Sequence, residues 1–329
     1  MIEKGSQDPE EVVFRVILFN LFTRIETWQL LNEKLGPLTW STYDHKKYAG
    51  VLSKAASAGI ALYTEAFIKP APHFGHKRNY ENHLCFLEVL MENRLYSRLL
   101  VAPYMADVYE YLYSFPSMGS FSAYQLILCL SYTTVLNFHR NDFVVSGPGS
   151  ISGLRKLFGK SWKAGNADMV FHQEVMRYLV DSQEYHFKRL GLNFSGLGPK
   201  KLAMDIADIE HTLCEVDKYC RVAHPQLKGV RQNISRNFPS HLKPNVVNPA
   251  VLPKAWNHPA RRQPRIRPEK ELRHDKRYEI NYIKDHRDRE GQRQYLVYWV
   301  GYSDADASWE FETSLLEEAP AAVKEYLGA

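Results

Sequence analysis

The chain has 329 residues, 45% of them hydrophobic, which is room for one mid-sized domain and a small one. Its four cysteines, Cys85, Cys129, Cys214 and Cys220, make no Cys-x-x-Cys pair, which argues against a disulfide framework or a structural metal and for a reducing compartment. The net charge of +5 is uneven: residues 221–277 hold 14 Lys and Arg against 3 Asp and Glu, a net +11 that leaves about −6 for the rest.

In chain order, Met1 to Glu10 lacks an apolar core and does not read as a signal peptide. Phe14, Ile17, Leu18, Leu21, Phe22, Ile25 and Trp28 recur at three and four, which predicts one amphipathic helix over 11–34, ended by Gly36-Pro37. Similar patterns predict helices over 43–58, 82–91 and 101–113. The stretch 111–138 carries no charge. Gln125, Asn137, Pro116 and Gly119 argue for a buried helix over 121–138 rather than a membrane span. Neither a nucleotide-binding or hydrolase motif nor an internal repeat is present.

Two glycine loops follow. Phe115 to Tyr124 leads into the apolar helix, and Gly119 and Ser120 could offer backbone N–H groups to a phosphate. Asp142 to Lys156 contains Gly147, Gly149 and Ser152, with Arg155 and Lys156 adding charge in the next helix. The plainer reading of each is an interhelical turn. A helix over 205–220 has an apolar stripe of Ile206, Ile209, Leu213, Val216 and Cys220. Asp208, Thr212, Glu215 and Tyr219 share another face, with Lys218 one turn from Glu215. Asp208 and Glu215 could orient or deprotonate a nucleophile, supported by Lys218; the alternative is a solvated acidic face.

Ser117-Met-Gly-Ser-Phe-Ser-Ala-Tyr-Gln125, Ser146-Gly-Pro-Gly-Ser-Ile-Ser-Gly-Leu154 and Asp208-Ile-Glu-His-Thr-Leu-Cys-Glu-Val-Asp-Lys-Tyr219 resemble the helical domain of 5-hydroxymethyluracil DNA kinases. That domain goes with the α-glutamyl/putrescinyl-thymine pyrophosphorylases of DNA base hypermodification. The resemblance covers about 10–220. It implies an all-helical domain similar to helix-hairpin-helix DNA glycosylases, acting on a modified thymine as a transferase or a glycosylase-like enzyme. Such glycosylases place a catalytic Asp in the loop after the central helix. Gly147 falls there in this chain, and Asp142 falls before the loop.

Residues 221–276 hold eight prolines, Pro225 to Pro268, and read as an extended basic linker. Its run Arg261-Arg-Gln-Pro-Arg-Ile-Arg267 suits nucleic-acid phosphate or nuclear import. Beyond it, 278–283 and 295–300 read as strands joined through Gly291, Ser308-Trp309-Glu310 as a third, and Pro320 as the start of a helix burying Val323, Tyr326 and Leu327. This small α+β unit, over 277–329, resembles a chromodomain. The resemblance implies a trimethyl-lysine cage of Tyr278, Trp299 and Tyr302, with Asp306 as an acid near the lysine. Trp309, Tyr295 and Tyr298 read as core.

The expected molecule is therefore a multidomain protein, with an all-α domain over 10–220 and a chromodomain. Expected partners are a methylated histone tail and DNA, with no membrane, metal or cofactor, in the nucleus. The expected function is to read methyl-lysine and bring to chromatin a DNA-binding domain that is a candidate base modifier. The alternative is a non-catalytic chromatin adaptor, for which a retroelement is a candidate origin.

Overall fold

The computed structural model describes residues 2–64, 69–162, 169–227, 252–268, 278–289 and 291–328. The helices are α1 Pro9–Phe22, α2 Ile25–Leu35, α3 His45–Ser57, α4 Asn79–Glu92, α5 Leu95–Val101, α6 Met105–Ser114, α7 Ser120–Ser131, α8 Pro148–Phe158, α9 Met169–Arg189 and α10 Ile206–Ala223. Then come β1 Ile280–Arg289, β2 Gln292–Trp299, β3 Ser308–Phe311, α11 Glu312–Glu318 and α12 Pro320–Leu327. Two compact units emerge. The first is 1–102, 108–130 and 274–329; the second is 103–107 and 131–273.

Three predicted helices are shorter than expected. The helix predicted over 11–34 is two, broken at Thr23, which takes a left-handed conformation (φ 52°) and donates its hydroxyl to the Phe22 carbonyl. The apolar period runs through the break, so it could not reveal it. Pro103 likewise separates α5 from α6, where one helix over 101–113 was expected. The predicted helix over 121–138 ends at Ser131. No described helix is long and apolar enough to cross a membrane.

In the first unit α1 packs against α2, α4 and α5, and α3 against α2 and α4. Val13, Phe14, Ile17, Leu84, Leu87, Leu90, Leu112 and Ile127 are buried there. His83 is buried among them, its Nδ1 2.8 Å from the Tyr63 hydroxyl and its ring 6.2 Å from that of Phe22. Burial, helped by the charge of Lys69, lowers its pKa to about 4. Neutral His83 thus contributes stability that is fully present above pH 6.5 and is lost as pH falls towards 4. Replacing it with Phe should flatten this dependence. The difference in unfolding free energy between wild type and His83→Phe is expected to change by about 2–3 kcal/mol across that window. Parallel curves for the two proteins would contradict this.

The C-terminal part has β1, β2 and β3 in an antiparallel sheet in that order. Gly291 turns β1 into β2 with φ +76°. Ile283, Tyr295, Val297, Leu315 and Val323 form its core, with Ile280, Trp299 and Tyr326 packed against it. Helix α12 starts at Pro320 as expected, but Leu327 is exposed and α11 was not foreseen. Tyr298 is not core: it stacks on Tyr282 at 4.6 Å. Trp309 is half-buried beneath the Arg287 guanidinium at 4.1 Å.

The second unit overturns part of the linker reading. Residues 252–268 make two short 3-10 turns and pack within this unit. The Arg261 guanidinium is buried and donates to the carbonyls of Ser131, the last residue of α7, and of Thr133 and Leu136 beyond it. Arg265 covers the Phe138 ring at 4.6 Å and donates its backbone N–H to Asp142. Arg267 pairs with Asp107 at 2.8 Å. The arginine run thus serves structure, with Arg262 facing solvent. The remaining linker expectations at 228–251 and 269–277 lie outside the described residues.

Candidate functional site

The aromatic set of the C-terminal part converges as its spacing suggests. Ile280 pairs with Trp299 across the sheet, and the Val300 N–H donates to the Glu279 carbonyl at 2.9 Å, which brings Tyr278 beside the end of β2. Gly301, at φ +79°, reverses the chain so that the Tyr302 N–H donates to the Trp299 carbonyl and its ring returns towards Tyr278. The Tyr278 ring lies 5.8 Å from Trp299 at 58° and 5.5 Å from Tyr302 at 76°. Tyr278 is 47% exposed, so the rings reach solvent. Trp299 Nε1 donates to Ser308 Oγ at 2.9 Å, fixing the indole plane from β3. The Tyr302 hydroxyl donates to the Ser114 carbonyl at 3.2 Å, and its pKa is pushed up to about 12 by burial and by Tyr278 and Asp306.

Asp306 stands near this set but has a structural partner. Its carboxylate accepts from the Ser303 N–H and hydroxyl, capping the turn Asp304–Asp306. Glu279, beside Tyr278, pairs with Arg98 of α5. Three rings with mixed tilts offer π-faces to a cation, and Asp306, held by the neutral Ser303, adds a negative charge beside Tyr302.

The glycine loops fare differently. Gly119 caps the start of α7 in open space, with Ser120 half-buried after it. At the second loop, the Gly147 N–H donates to Glu210 Oε1 at 3.0 Å. The start of α8 is therefore occupied by an internal carboxylate where a phosphate was expected. Gly149 and Gly153 serve helix packing. A Cβ on Gly149 would lie 2.3 Å from Cys214 Sγ, and one on Gly153 2.3 Å from the Leu213 carbonyl oxygen. Ser152 donates to Asp217 at 2.6 Å, and Lys156, with only 2% of its side chain exposed, pairs with the same carboxylate at 2.9 Å. Ser152 and Lys156 are thus internal, and their expected phosphate contact is corrected. Arg155 remains exposed, 5.9 Å above the Trp162 ring.

The face of α10 expected to carry chemistry does not gather into a cleft with Gly147–Gly149. The Asp208 carboxylate accepts from the Asp205 backbone N–H, and the Asp208 N–H donates to the Asp205 carboxylate, in a reciprocal cap at the helix start. Glu215 is 68% exposed and pairs with Lys218 at 2.5 Å, while Thr212 and Tyr219 face solvent. Val216, expected in the buried stripe, is 41% exposed; Glu210 and Asp217 take the buried positions. Sequence reasoning missed these two acids, although both fall at the spacing of Ile206 and Leu213. Burial would raise the Asp217 carboxyl, but hydrogen bonds from Ser152, Lys156 and Arg221 hold it below the usual range. Asp142, the nearest acid to Gly147 before the loop, is itself buried and accepts from the N–H groups of His139 and Arg265.

No curated protein and no solved structure matches the chain. The chromo (chromatin organisation modifier) domain family matches residues 278–328, which hold the ring set. The family described as the 5-hmdU DNA kinase, helical domain, matches residues 1–229, which hold α1 to α10. The chain therefore belongs to the 5-hmdU DNA kinase helical-domain family and carries a chromodomain behind that region.

Proposed function

We propose that this protein is a nuclear chromatin adaptor, in which the chromodomain holds a trimethylated lysine of a histone tail and the helical region binds DNA. The observation that carries the reading is the convergence of Tyr278, Trp299 and Tyr302 on one open face of a chromodomain. A quaternary ammonium sheds its hydration easily and gains attraction from each ring. The match to a DNA kinase helical domain supports DNA as the second partner. Coupling two modest contacts raises effective concentration without new interface.

The adaptor is preferred to a base-modifying enzyme on one ground. Asp208 caps a helix and Glu215 pairs in solvent, so neither acid is poised beside the Gly147 loop. Nothing among them would stabilise a cationic sugar or a developing oxyanion. Mass spectrometry of nucleosides tests this, using DNA that contains 5-hydroxymethyluracil incubated with the full chain and candidate amines. Unchanged bases are expected; a base lost or gained, and spared by Glu215→Gln, would establish an enzyme.

For DNA binding, Arg155 is the cation to remove, because Lys156 is internal. Arg155→Ala should weaken binding of duplex DNA and lower its salt slope by about one phosphate. Anisotropy titrations of the full chain at two salt concentrations measure this. An unchanged slope would place the DNA away from the last turn of α8.

A further inference from the structure

The described residues bring together a donor set that spacing in the sequence does not reveal. Cys85 and Glu88 lie three apart and so share a face of α4. His45 is the first residue of α3, whose N-cap Asp44 accepts from the Lys47 N–H at 3.0 Å. Because α3 packs on α4, the imidazole, the thiol and the carboxylate meet. Their donor atoms lie within 4.8 Å of one another, and His45 Nδ1 is 2.8 Å from Glu88 Oε1.

We propose that His45, Cys85 and Glu88 form a zinc-binding site that clamps the start of α3 to α4. One nitrogen, one sulfur and one oxygen donor suit zinc; calcium and magnesium take oxygen shells, which this set cannot supply. Three protein ligands leave a fourth position, and His76 lies beside the set. Its ring centre is 6.3 Å from that of His45, and its Nδ1 is 4.0 Å from Glu81, which lies one turn before Cys85. The His45 and Glu88 side chains are 29% and 25% exposed, which leaves an entry path for the ion while sheltering it from bulk water. On binding, the Cys85 thiol proton passes to solvent and its sulfur ligates as thiolate, while a neutral His45 imidazole keeps its proton on Nε2 and offers the Nδ1 lone pair.

The plainer account is a hydrogen bond between His45 and Glu88 with Cys85 a bystander. Cobalt separates the two, because thiolate ligation gives an intense charge-transfer band in the near ultraviolet. The full chain would be stripped with a chelator and titrated with Co2+ and then Zn2+. The expected result is one ion per chain, a thiolate-to-cobalt band that zinc displaces, and a rise in thermal midpoint. Cys85→Ser should abolish the band, and His45→Gln should weaken zinc binding by at least about tenfold. Cys129→Ser, Cys214→Ser and Cys220→Ser should each keep it. Wild-type protein that takes up no cobalt, or shows no thiolate band, overturns the proposal however the variants fold. So does a band that persists in Cys85→Ser.

Discussion

Trp299→Ala is expected to abolish the trimethyl-lysine preference proposed for the chromodomain. Indole is the strongest cation–π partner among the side chains, and here its plane is held by the bond from Nε1 to Ser308. Removing it takes away one wall of the three-ring set and leaves Tyr278 with Tyr302 alone. The lost cation–π term is on the order of 1–2 kcal/mol, with packing in addition, and each 1.4 kcal/mol is about a tenfold loss in affinity. Trp299→Phe should retain part of the affinity, since it keeps a π-face but loses the hydrogen bond. The measurement is calorimetric titration of the full chain with trimethylated and unmodified lysine peptides of one sequence. Equal affinities in the wild type would show that peptide charge alone is recognised. A Trp299→Ala protein that still prefers the trimethylated peptide would move the site elsewhere.

The C-terminal part was legible because its signals are local. Tyr, Ile, Val and Trp content marked the strands, Gly291 marked the turn, and Trp299-Val-Gly-Tyr302 placed two rings around one reversing glycine. Tyr278 needed only the pairing of β1 with β2. The helical region was legible in class but not in detail. Apolar period marks a buried face, so Ile206, Ile209, Leu213 and Cys220 were identified correctly on α10. It cannot mark buried charge, because Glu210 and Asp217 owe their burial to partners on α8 more than sixty residues away in the chain, and periodicity promotes Val216 in their place. Arg261 escaped for the same reason. Beside prolines and other cations it reads as solvated, and only the carbonyls of Ser131, Thr133 and Leu136 explain its burial.

Those buried charges make the second large effect. Asp217→Asn should destabilise the second unit by about 3–5 kcal/mol, because it leaves two cations without their counter-charge. The Asp217 carboxylate is fully buried, accepts from Ser152 and Lys156, and pairs with Arg221 one turn along α10. Lys156 has 2% and Arg221 11% of its side chain exposed, so water cannot replace the lost carboxylate at the lysine. Glu215→Gln, by contrast, breaks an ion pair in solvent and should cost less than about 1 kcal/mol. Denaturant unfolding of the three proteins measures both. A further variant separates the cost of stranding charges from any special strength of the pair. Lys156→Met with Asp217→Leu removes both partners, and Arg221, near the surface, can turn its guanidinium to solvent. This double variant should recover much of the stability lost in Asp217→Asn. If it is as unstable as the single variant, the geometry of the cluster itself holds α8 on α10. If Asp217→Asn unfolds within 1 kcal/mol of wild type, these helices are held by Gly149 and Gly153 packing against Cys214 and Leu213, and the acids beneath them are incidental.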